Sequence, residues 1–426
     1  MLNKSQLFAT ILAQAPQLKA LGEQLFNTPE LGFKEYRTRE ILLQEFAKLP
    51  NFTIQENLAL TGFSAELINP QATQTLALIA ELDAVYQPGH FAAAHDGAAH
   101  CCGHDSQMVI MLAVAQALCH QRLPFNLRII FTPAEEFLDL DYRQQLQAAG
   151  KIHHLSGKQE MIRLGVFDNV SAAIAVHSMG QSADYDFDLN TTLVGFIIKR
   201  ATFHGKSAHA GAAPEQGINA LNAASLALSA IAYIRETFPD HDHIRVSPVI
   251  KPANWAANVI PDQAQLEMYI RAASIEAMQI TAAKIDNCLQ GAALAIGCRL
   301  EINNIPGYLP LKQDQSLTEL AHKNALDLTT AARISADSKI VAASGDVGDL
   351  SLLMPTIQIG YGGYQGTIHG GDFAIMDAEK IYVKTAQLVS GIVCDLANNP
   401  AQLTELSAAY PKIDVQQYQK ILGDLS

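Results

Sequence analysis

Charged side chains are scarce in this sequence of 426 residues, and positive ones are the scarcer. Charged residues make up 17% of the chain, and 29 lysines and arginines stand against 42 aspartates and glutamates, which gives a formal net charge of -13. No run of basic residues interleaved with aromatic ones occurs. Because an acidic surface repels a phosphate backbone, this composition excludes nucleic acid as an expected partner.

Cysteine is also scarce, and long hydrophobic runs are missing. The six cysteines stand at positions 101, 102, 119, 288, 298 and 394 without framework spacing, which favours reduced thiols. No apolar stretch reaches the roughly twenty residues that cross a bilayer, and residues 1–26 lack the short apolar core and cleavage site of a signal peptide. We therefore expect a cytoplasmic protein with no membrane partner.

Hydrophobic residues, in contrast, make up 49% of a chain that is too long for one core, so two domains are expected. Apolar runs at 75–80, 126–131 and 172–177 each end in polar residues and alternate with segments of helical periodicity. Buried strands of this type belong to parallel sheets that present ligands at their carboxyl edge. The pattern predicts a mixed-sheet α/β sandwich with its active site at the strand ends.

From about residue 192 the order of the elements changes. The predicted elements are a strand (193–204), a helix (218–237), two strands (244–251 and 262–272), a helix (274–292) and a strand (298–304). This βαββαβ order indicates an inserted, ferredoxin-like domain. We expect a catalytic domain in two parts, 1–191 and 306–426, and a lid or dimerisation domain at 192–305.

Three other segments carry expectations about structure. Residues 7–26 read as a single amphipathic helix, and residues 350–360 as a last buried strand. The glycine-rich segment 361–369 is predicted to be a mobile loop that presents His369. The polar stretch 139–157 is predicted to leave the core.

Several polar residues end these strands or stand in the turns beside them. They are Asp83, Cys102, His104, Glu135, Glu136, His177 and His369. Singly, each could be a helix cap, a solvated carboxylate or a hydrogen-bonded histidine. Together they match a zinc-like hydrolytic site, because thiolate, imidazole and carboxylate are the ligands of such ions. Of two adjacent glutamates, one can bind metal while the other moves the proton of a water molecule.

Six motifs in this order resemble the metal-dependent amidohydrolase family, which includes aminoacylases, hippurate hydrolases, aminobenzoyl-glutamate hydrolases and glutamate carboxypeptidases. The motifs are Pro29-Glu30-Leu31-Gly32-Phe33, Cys102-Gly103-His104-Asp105, Pro133-Ala134-Glu135-Glu136, His204-Gly205-Lys206-Ser207-Ala208-His209-Ala210, Gly217-Ile218-Asn219-Ala220 and Asn258-Val259-Ile260-Pro261-Asp262. Together with the loop that contains His369, these motifs are spread from about residue 25 to residue 375, so the resemblance covers nearly the whole chain.

The resemblance implies a role for each candidate residue. The implied metal ligands are Cys102, His104, Glu136, His177 and His369, which would hold one or two divalent ions, zinc first, with manganese, cobalt or nickel as alternatives. Glu135 would be the general base, and Asp83 would orient the site. From the inserted domain, His209 would steady the oxyanion in the partner subunit of a homodimer. Asn258 and Arg271 would face the carboxylate of the substrate.

The expected activity is hydrolysis of the amide bond of an N-acyl amino acid or a related small conjugate. The alternatives are a dipeptidase or aminopeptidase with the same metal site, and a silent metal-binding homologue. Cys101 stays open as the ligand in place of Cys102, and a surface ion pair stays open for Arg271. His153-His154 and His241-Asp242-His243 are interpreted as structural.

The sequence departs from the family pattern around the substrate pocket. Glu81 stands in place of a common Asp, Gln107 in place of a common His, and the segment after Glu136 is longer. These departures leave the substrate open.

Overall fold

A computed structural model describes residues 1–181, 184–251 and 256–426. By its internal contacts the chain divides into two compact units. The large unit consists of Met1–Thr191, Lys312–Lys339 and Asp349–Val415, and the small unit of Thr192–Leu311, Ile340–Gly348 and Gln416–Ser426. The roles predicted for the domains, catalysis and a lid or dimer interface, stay predictions.

The strands are numbered along the chain. They are β1 (Phe52–Leu58), β2 (Gly62–Leu67), β3 (Thr75–Glu81), β4 (Val85–Tyr86), β5 (Ala98–Ala99), β6 (Asn126–Thr132), β7 (Val170–Ser178), β8 (Phe187–Asp188), β9 (Thr191–Leu193), β10 (Gly195–His204), β11 (Arg245–Ile250), β12 (Gln263–Ala272), β13 (Arg299–Pro306), β14 (Ile334–Ser335), β15 (Lys339–Val341), β16 (Thr356–Tyr361), β17 (Tyr364–Gln365) and β18 (Ala374–Ile375).

The α-helices are numbered in the same way. They are α1 (Lys4–Ala13), α2 (Ala15–Phe26), α3 (Tyr36–Phe46), α4 (His104–Leu118), α5 (Leu140–Ala148), α6 (Gly157–Arg163), α7 (Ala220–Ile234), α8 (Ile275–Ile296), α9 (Gln315–Leu326), α10 (Val347–Leu350), α11 (Thr385–Asn398), α12 (Pro400–Ala409) and α13 (Val415–Asp424). Among the helices so described, none has both the length and the apolar character needed to cross a membrane.

The large unit is built on a mixed sheet with the strand order β1-β2-β6-β3-β7-β16-β8-β14. The central strands β6, β3, β7 and β16 are parallel neighbours, whereas β1, β2 and β6 pair antiparallel. Every residue of β3 is buried, so both faces of the sheet are covered, as expected for a parallel strand of continuous apolar sequence. The predicted mixed α/β fold is confirmed.

The small unit is a four-stranded antiparallel sheet with the order β11-β12-β10-β13. Its helices α7 and α8 pack against each other and against β10 and β12. Strand β12 alternates between buried and partly exposed residues because one face of the sheet meets these helices. The predicted βαββαβ order is confirmed.

Two predicted elements were wrong in their extent. Residues 7–26 form two helices, α1 and α2, because Pro16 lies in the first turn of α2, where a missing N–H is tolerated and a helix begins easily. The strand expected over 350–360 is shorter: Leu350 ends α10, and only Thr356–Tyr361 is extended, directly after Pro355.

Candidate metal centre

Parallel strands bring polar side chains to one edge of the large sheet. Asp83 follows β3, Glu135 and Glu136 follow β6, and His177 lies near the end of β7. Since β3 pairs in parallel with both β6 and β7, the carboxyl ends of the three strands meet. All four residues are therefore brought together.

A tight turn before α4 adds two more predicted ligands, Cys102 and His104. Gly103 between them has a φ of 87°, and a Cβ there would lie 2.7 Å from Cβ of Ser178. Both the positive φ and the short distance to Ser178 require a glycine at this position. The Ser178 hydroxyl donates to the carbonyl of Cys102 at 2.6 Å, which ties this turn to the end of β7.

The loop after β17 delivers His369 to the same place. Its N–H donates to the carbonyl of Cys101 at 2.8 Å, and its carbonyl accepts from Gln87 Nε2 at 2.7 Å. Nε2 of His369 lies 3.0 Å from Glu136 Oε1. The predicted loop thus presents His369 to a carboxylate of the site.

The candidate ligand atoms form three overlapping groups in which all atoms lie within 4.8 Å of one another. The groups are Cys102 with His104 and His177, Cys102 with Glu136 and His369, and Glu81 with His104 and Glu135. Two groups share the Cys102 thiol, whereas Cys101 joins none within the described ranges. The structure therefore favours Cys102 over its neighbour as a ligand.

Asp83 is completely buried and organises the surrounding residues. Its Oδ1 accepts from the N–H of Glu135 at 3.0 Å and its Oδ2 from the N–H of Glu136 at 2.9 Å. His104 Nδ1 lies 2.9 Å from the carbonyl of Asp83, which places the ring proton on Nδ1 and turns Nε2 towards the other ligands.

The contacts inside the centre fit a divalent metal. His104 Nε2 lies 3.0 Å from Glu81 Oε2, and Glu136 Oε1 lies 3.0 Å from His369 Nε2. Nevertheless, the buried atoms His104 Nε2 and Glu136 Oε1 have no hydrogen-bond partner of acceptable geometry. Candidate ligand atoms that lie this close together without hydrogen bonds between them are arranged as the ligands of one metal ion are. The sulfur, nitrogen and oxygen donors are those of zinc-like ions.

Electrostatics also call for a cation. Burial, and next the negative charge of Glu136, raise the pKa of the Cys102 thiol well above its usual range. A thiolate, which is the form that binds metal, therefore requires a positive ion beside it. Burial lowers the pKa of His177, so its imidazole is neutral and keeps a lone pair for a metal.

Two residues next to the ligands were not identified as site residues from the sequence. Lys158 Nζ donates to Glu81 Oε1 at 2.6 Å, and Gln107 Nε2 donates to Glu81 Oε2 at 2.7 Å. Burial raises the pKa of Glu81, but the charge of Lys158, and next that of His104 when its ring is protonated, lower it to about 2, so Glu81 is a carboxylate. Its departure from the family pattern was visible in the sequence; its pairing with Lys158, 77 residues away, was not.

The other three candidate residues belong to the small unit. His209 and Asn258 are exposed. His209 Nδ1 accepts from the N–H groups of Gly211 and Ala212 at 3.2 and 3.0 Å, so its ring proton lies on Nε2. The carbonyl of Asn258 accepts from the N–H of Ala210 at 2.9 Å.

Arg271 is held by its own unit. Its guanidinium donates to Ser344 Oγ at 2.8 Å and to the carbonyl of Ala342 at 3.3 Å. It also lies 5.5 Å from the ring centre of Phe196 and 5.3 Å from that of Tyr269. These contacts give Arg271 a structural role, and its contact with substrate stays a prediction.

A cavity of about 440 Å³ in the large unit reaches Glu136. It is lined by Leu31, Gly32, Ala84, Tyr86, Asp96, Glu136, Leu138, Asp139 and Arg143. Its walls combine apolar side chains with two aspartates, and several of them come from the long segment after Glu136. The lining also includes the guanidinium of Arg143, and Asp139 is paired with Lys34 at 3.1 Å.

A mixed α/β unit with candidate sulfur, nitrogen and oxygen ligands at one edge of its sheet, and with two adjacent glutamates among them, has the features of a metal-dependent hydrolase. The chain belongs to peptidase family M20/M25/M40, whose model matches residues 77–395. The predicted resemblance is confirmed, and the chain is a hydrolase of amide or peptide bonds that uses a divalent metal.

Three similar proteins illustrate the family. The Xaa-Arg dipeptidase of Mus musculus is 27% identical over 414 residues, 91% of this chain and 88% of that protein. The hippurate hydrolase of Campylobacter jejuni is 26% identical over 356 residues, 80% and 87% of the two chains. A dinuclear metal-binding M20 peptidase from Bacillus subtilis has the same fold, with a TM-score of 0.69 at 22% identity over 91% and 99% of the two chains.

Proposed function

We propose that this protein hydrolyses the amide bond of an N-acyl amino acid or a related small conjugate. The observation that carries the proposal is the placement of Glu135 within one candidate ligand group and directly before Glu136, which belongs to another, with the N–H groups of both residues bound to Asp83. Hippurate hydrolase, an enzyme for such a substrate by its name, is among the similar proteins.

The ligands of the metal would be Cys102, His104, Glu136, His177 and His369. Zinc is the first expectation for this donor set, and manganese, cobalt or nickel are alternatives. When bound, one or two ions would polarise the scissile carbonyl and lower the pKa of water. Glu135 takes a proton from the attacking water and later passes it to the leaving nitrogen.

His209 has a separate role in the proposal. The ring proton on Nε2 is free to donate to the developing oxyanion in the centre of a partner subunit. Asn258 and Arg271 would approach the carboxylate of the substrate. This requires a homodimer through the small unit, whose helix α7 exposes Leu226 and Tyr233.

A test of the chemistry combines metal analysis with a substrate panel. Protein purified without chelator is analysed for metal, and release of free amine is followed from N-acyl amino acids, aminobenzoyl-glutamate and dipeptides. Replacing Glu135→Gln should lower kcat by about 10² to 10⁴ while the metal stays bound. His241→Ala, which changes an exposed histidine, is the control and should keep full activity. Bound metal without turnover on any compound would favour the silent homologue.

A dipeptidase is the second candidate, and the cavity supports it. Asp96 lines the cavity that reaches Glu136, so a carboxylate is present to attract a free amine or another cationic group, whereas Asp139 is paired with Lys34 at 3.1 Å. The Xaa-Arg dipeptidase is also among the similar proteins. If dipeptides are the substrates, Asp96→Asn should raise KM for dipeptides and leave KM for the matching N-acetylated compounds unchanged.

The cross-subunit role of His209 has its own test. Glu135→Ala and His209→Ala subunits, each inactive, are mixed under conditions that exchange subunits. The mixture should regain part of the activity, since a heterodimer contains one intact centre. Confirmed heterodimers without activity would remove this role. The proposed location is the cytoplasm, where the thiol of Cys102 stays reduced.

A further inference from the structure

Arg143 lies on α5, in the long segment after Glu136 that departs from the family pattern. Its side chain is 2% exposed, and the guanidinium lies 5.4 Å from the ring centre of Phe33 and 5.7 Å from that of Phe137. In the described part of the chain no carboxylate forms an ion pair with it. A buried guanidinium needs hydrogen-bond acceptors; Nη1 and Nη2 of this one find theirs on the backbone, and Nε has none among the described residues.

The acceptors surround the proposed general base. Nη1 donates to the carbonyl of Ala134 at 3.1 Å and to that of Leu155 at 2.6 Å, and Nη2 donates to the carbonyl of Glu136. The carbonyls of Ala134 and Glu136 are those before and after Glu135. One planar side chain therefore bridges the segment that carries the Glu135 carboxylate.

This segment needs such support because its backbone is strained. Ala134 has a φ of 54°, a left-handed conformation that non-glycine residues avoid. The N–H of Ala134 donates to the buried carboxyl of Glu35 at 2.8 Å, so Glu35 and Arg143 bind the two sides of one strained residue. Asp83 binds the next two N–H groups.

The turn that contains Gly32 makes room for the guanidinium. A Cβ at Gly32 would lie 2.5 Å from Arg143 Nη2 and 2.9 Å from Cα of Ala134. Gly32 thus permits the close approach of Arg143 to the catalytic segment.

We propose that Arg143 is a positioning residue that sets the direction of the Glu135 carboxylate by bridging the carbonyls on either side of it. The inference rests on the proposed function of Glu135. Glu136 would be held by the metal in the loaded enzyme, whereas the direction of Glu135, which moves the proton, depends on the backbone that Arg143 bridges. Loss of the bridge therefore affects proton transfer more than it affects metal or substrate binding.

The experiment compares Arg143→Lys with Arg128→Lys. A lysine keeps the charge but lacks the planar fork that reaches several carbonyls. Arg128 is a matched control, because it also donates to two carbonyls, those of Val166 and Asp168, outside the Glu135 segment. Arg143→Lys should lower kcat by about 10 to 100-fold with metal content unchanged, since small displacements of a catalytic group have such effects. Arg128→Lys should keep kcat within about twofold.

A double-mutant cycle separates positioning from general damage. In the Glu135→Asp background the carboxylate is already displaced, so adding Arg143→Lys should lower kcat by less than about threefold. An unchanged kcat in the single variant, a full additional loss in the double variant, or loss of metal together with kcat would each overturn the proposal.

Hydrogen exchange gives a readout that does not require turnover. Amides of peptides covering 133–139 should exchange faster in Arg143→Lys than in the parent protein, and those of β10 to β13 should not change. Equal exchange would overturn the positioning role even if no substrate were found. If the parent protein has no turnover on any substrate but Arg143→Lys still exchanges faster over 133–139, the result contradicts the proposed function and supports the bridge.

Discussion

At the centre, the negative charge of a buried glutamate is balanced by a buried lysine. Glu81, 3% exposed, accepts from Lys158, which is fully buried. Removing one partner of a buried ion pair leaves an uncompensated charge, which is destabilising. Lys158→Met should therefore lower the free energy of unfolding by about 3 to 5 kcal/mol, measured by urea titration of the metal-free protein.

The matched control for this pair is the double variant Lys158→Met with Glu81→Gln. It removes both charges, so it should recover a large part of the lost stability. If Lys158→Met were as stable as the parent protein, the charge of Glu81 would not depend on Lys158 for compensation.

Adjacent cysteines provide a second test at the level of single residues. The Cys102 thiol belongs to two ligand groups, whereas burial, and next Glu136, raise the pKa of Cys101 to about 12. Cys102→Ser should reduce the metal bound per chain, because serine is a poor ligand for zinc-like ions. Cys101→Ser should keep it. Elemental analysis of the two proteins, prepared together, decides the matter, and equal metal contents would contradict the assignment.

At the scale of elements, Asp186 connects distant segments of the large unit just before β8. Its carboxylate accepts from Thr329 Oγ1 at 2.5 Å and from Arg333 Nη2 at 2.8 Å, and Lys380 Nζ lies 2.9 Å away. Burial raises the pKa of Asp186, but hydrogen bonds from Arg333, Thr329 and Lys380 lower it well below its usual range. Asp186→Asn should lower the free energy of unfolding by about 2 kcal/mol at neutral pH.

The pH dependence of this difference has a definite sign. A carboxyl group whose folded pKa is depressed contributes stability above its unfolded pKa of about 4, and this contribution is lost as the pH falls through the folded pKa. The difference between the parent protein and Asp186→Asn should thus be largest near pH 7 and should shrink below about pH 4. Urea titrations across this range measure it, and a difference that grows on acidification would contradict the account.

Elements that have a strong local pattern were predictable, and those fixed by distant contacts were not. The continuous apolar run of β3 and the alternation in the small unit identify their strands, because burial of both faces or of one face leaves a direct trace in the sequence. The break between α1 and α2 and the late start of β16 were missed, since apolar residues continue across both.

The same distinction holds for the candidate site. Of the residues predicted as ligands, Glu136 and His177 lie together because each stands at a strand end that the sequence already indicates. Cys102 and His104 reach them from the turn before α4, and His369 from the loop after β17. Lys158 and Arg143 were not predicted as site residues. Lys158 contacts Glu81, and Arg143 contacts the carbonyls around Glu135, only because β3 pairs with β6 and because of the course of the chain after β6.

At the scale of the whole molecule, the ligand groups lie entirely in the large unit. Metal stabilises the state that binds it, by about 4 kcal/mol at a free concentration 1,000 times the dissociation constant. Because each unit has its own core, this stabilisation should act on the unit that holds the site. Metal added to the chelated protein should slow hydrogen exchange in peptides of β3, β6, β7 and α4.

Peptides of β10 to β13 should exchange at the same rate with and without metal, since the small unit contributes no residue to the ligand groups found in the described chain. Cys102→Ser should abolish the protection of the large unit, and Glu135→Gln should keep it, because only the first change removes a proposed ligand. Equal protection of both units by metal would show that they unfold as one body and would contradict the independence inferred from their separate sheets.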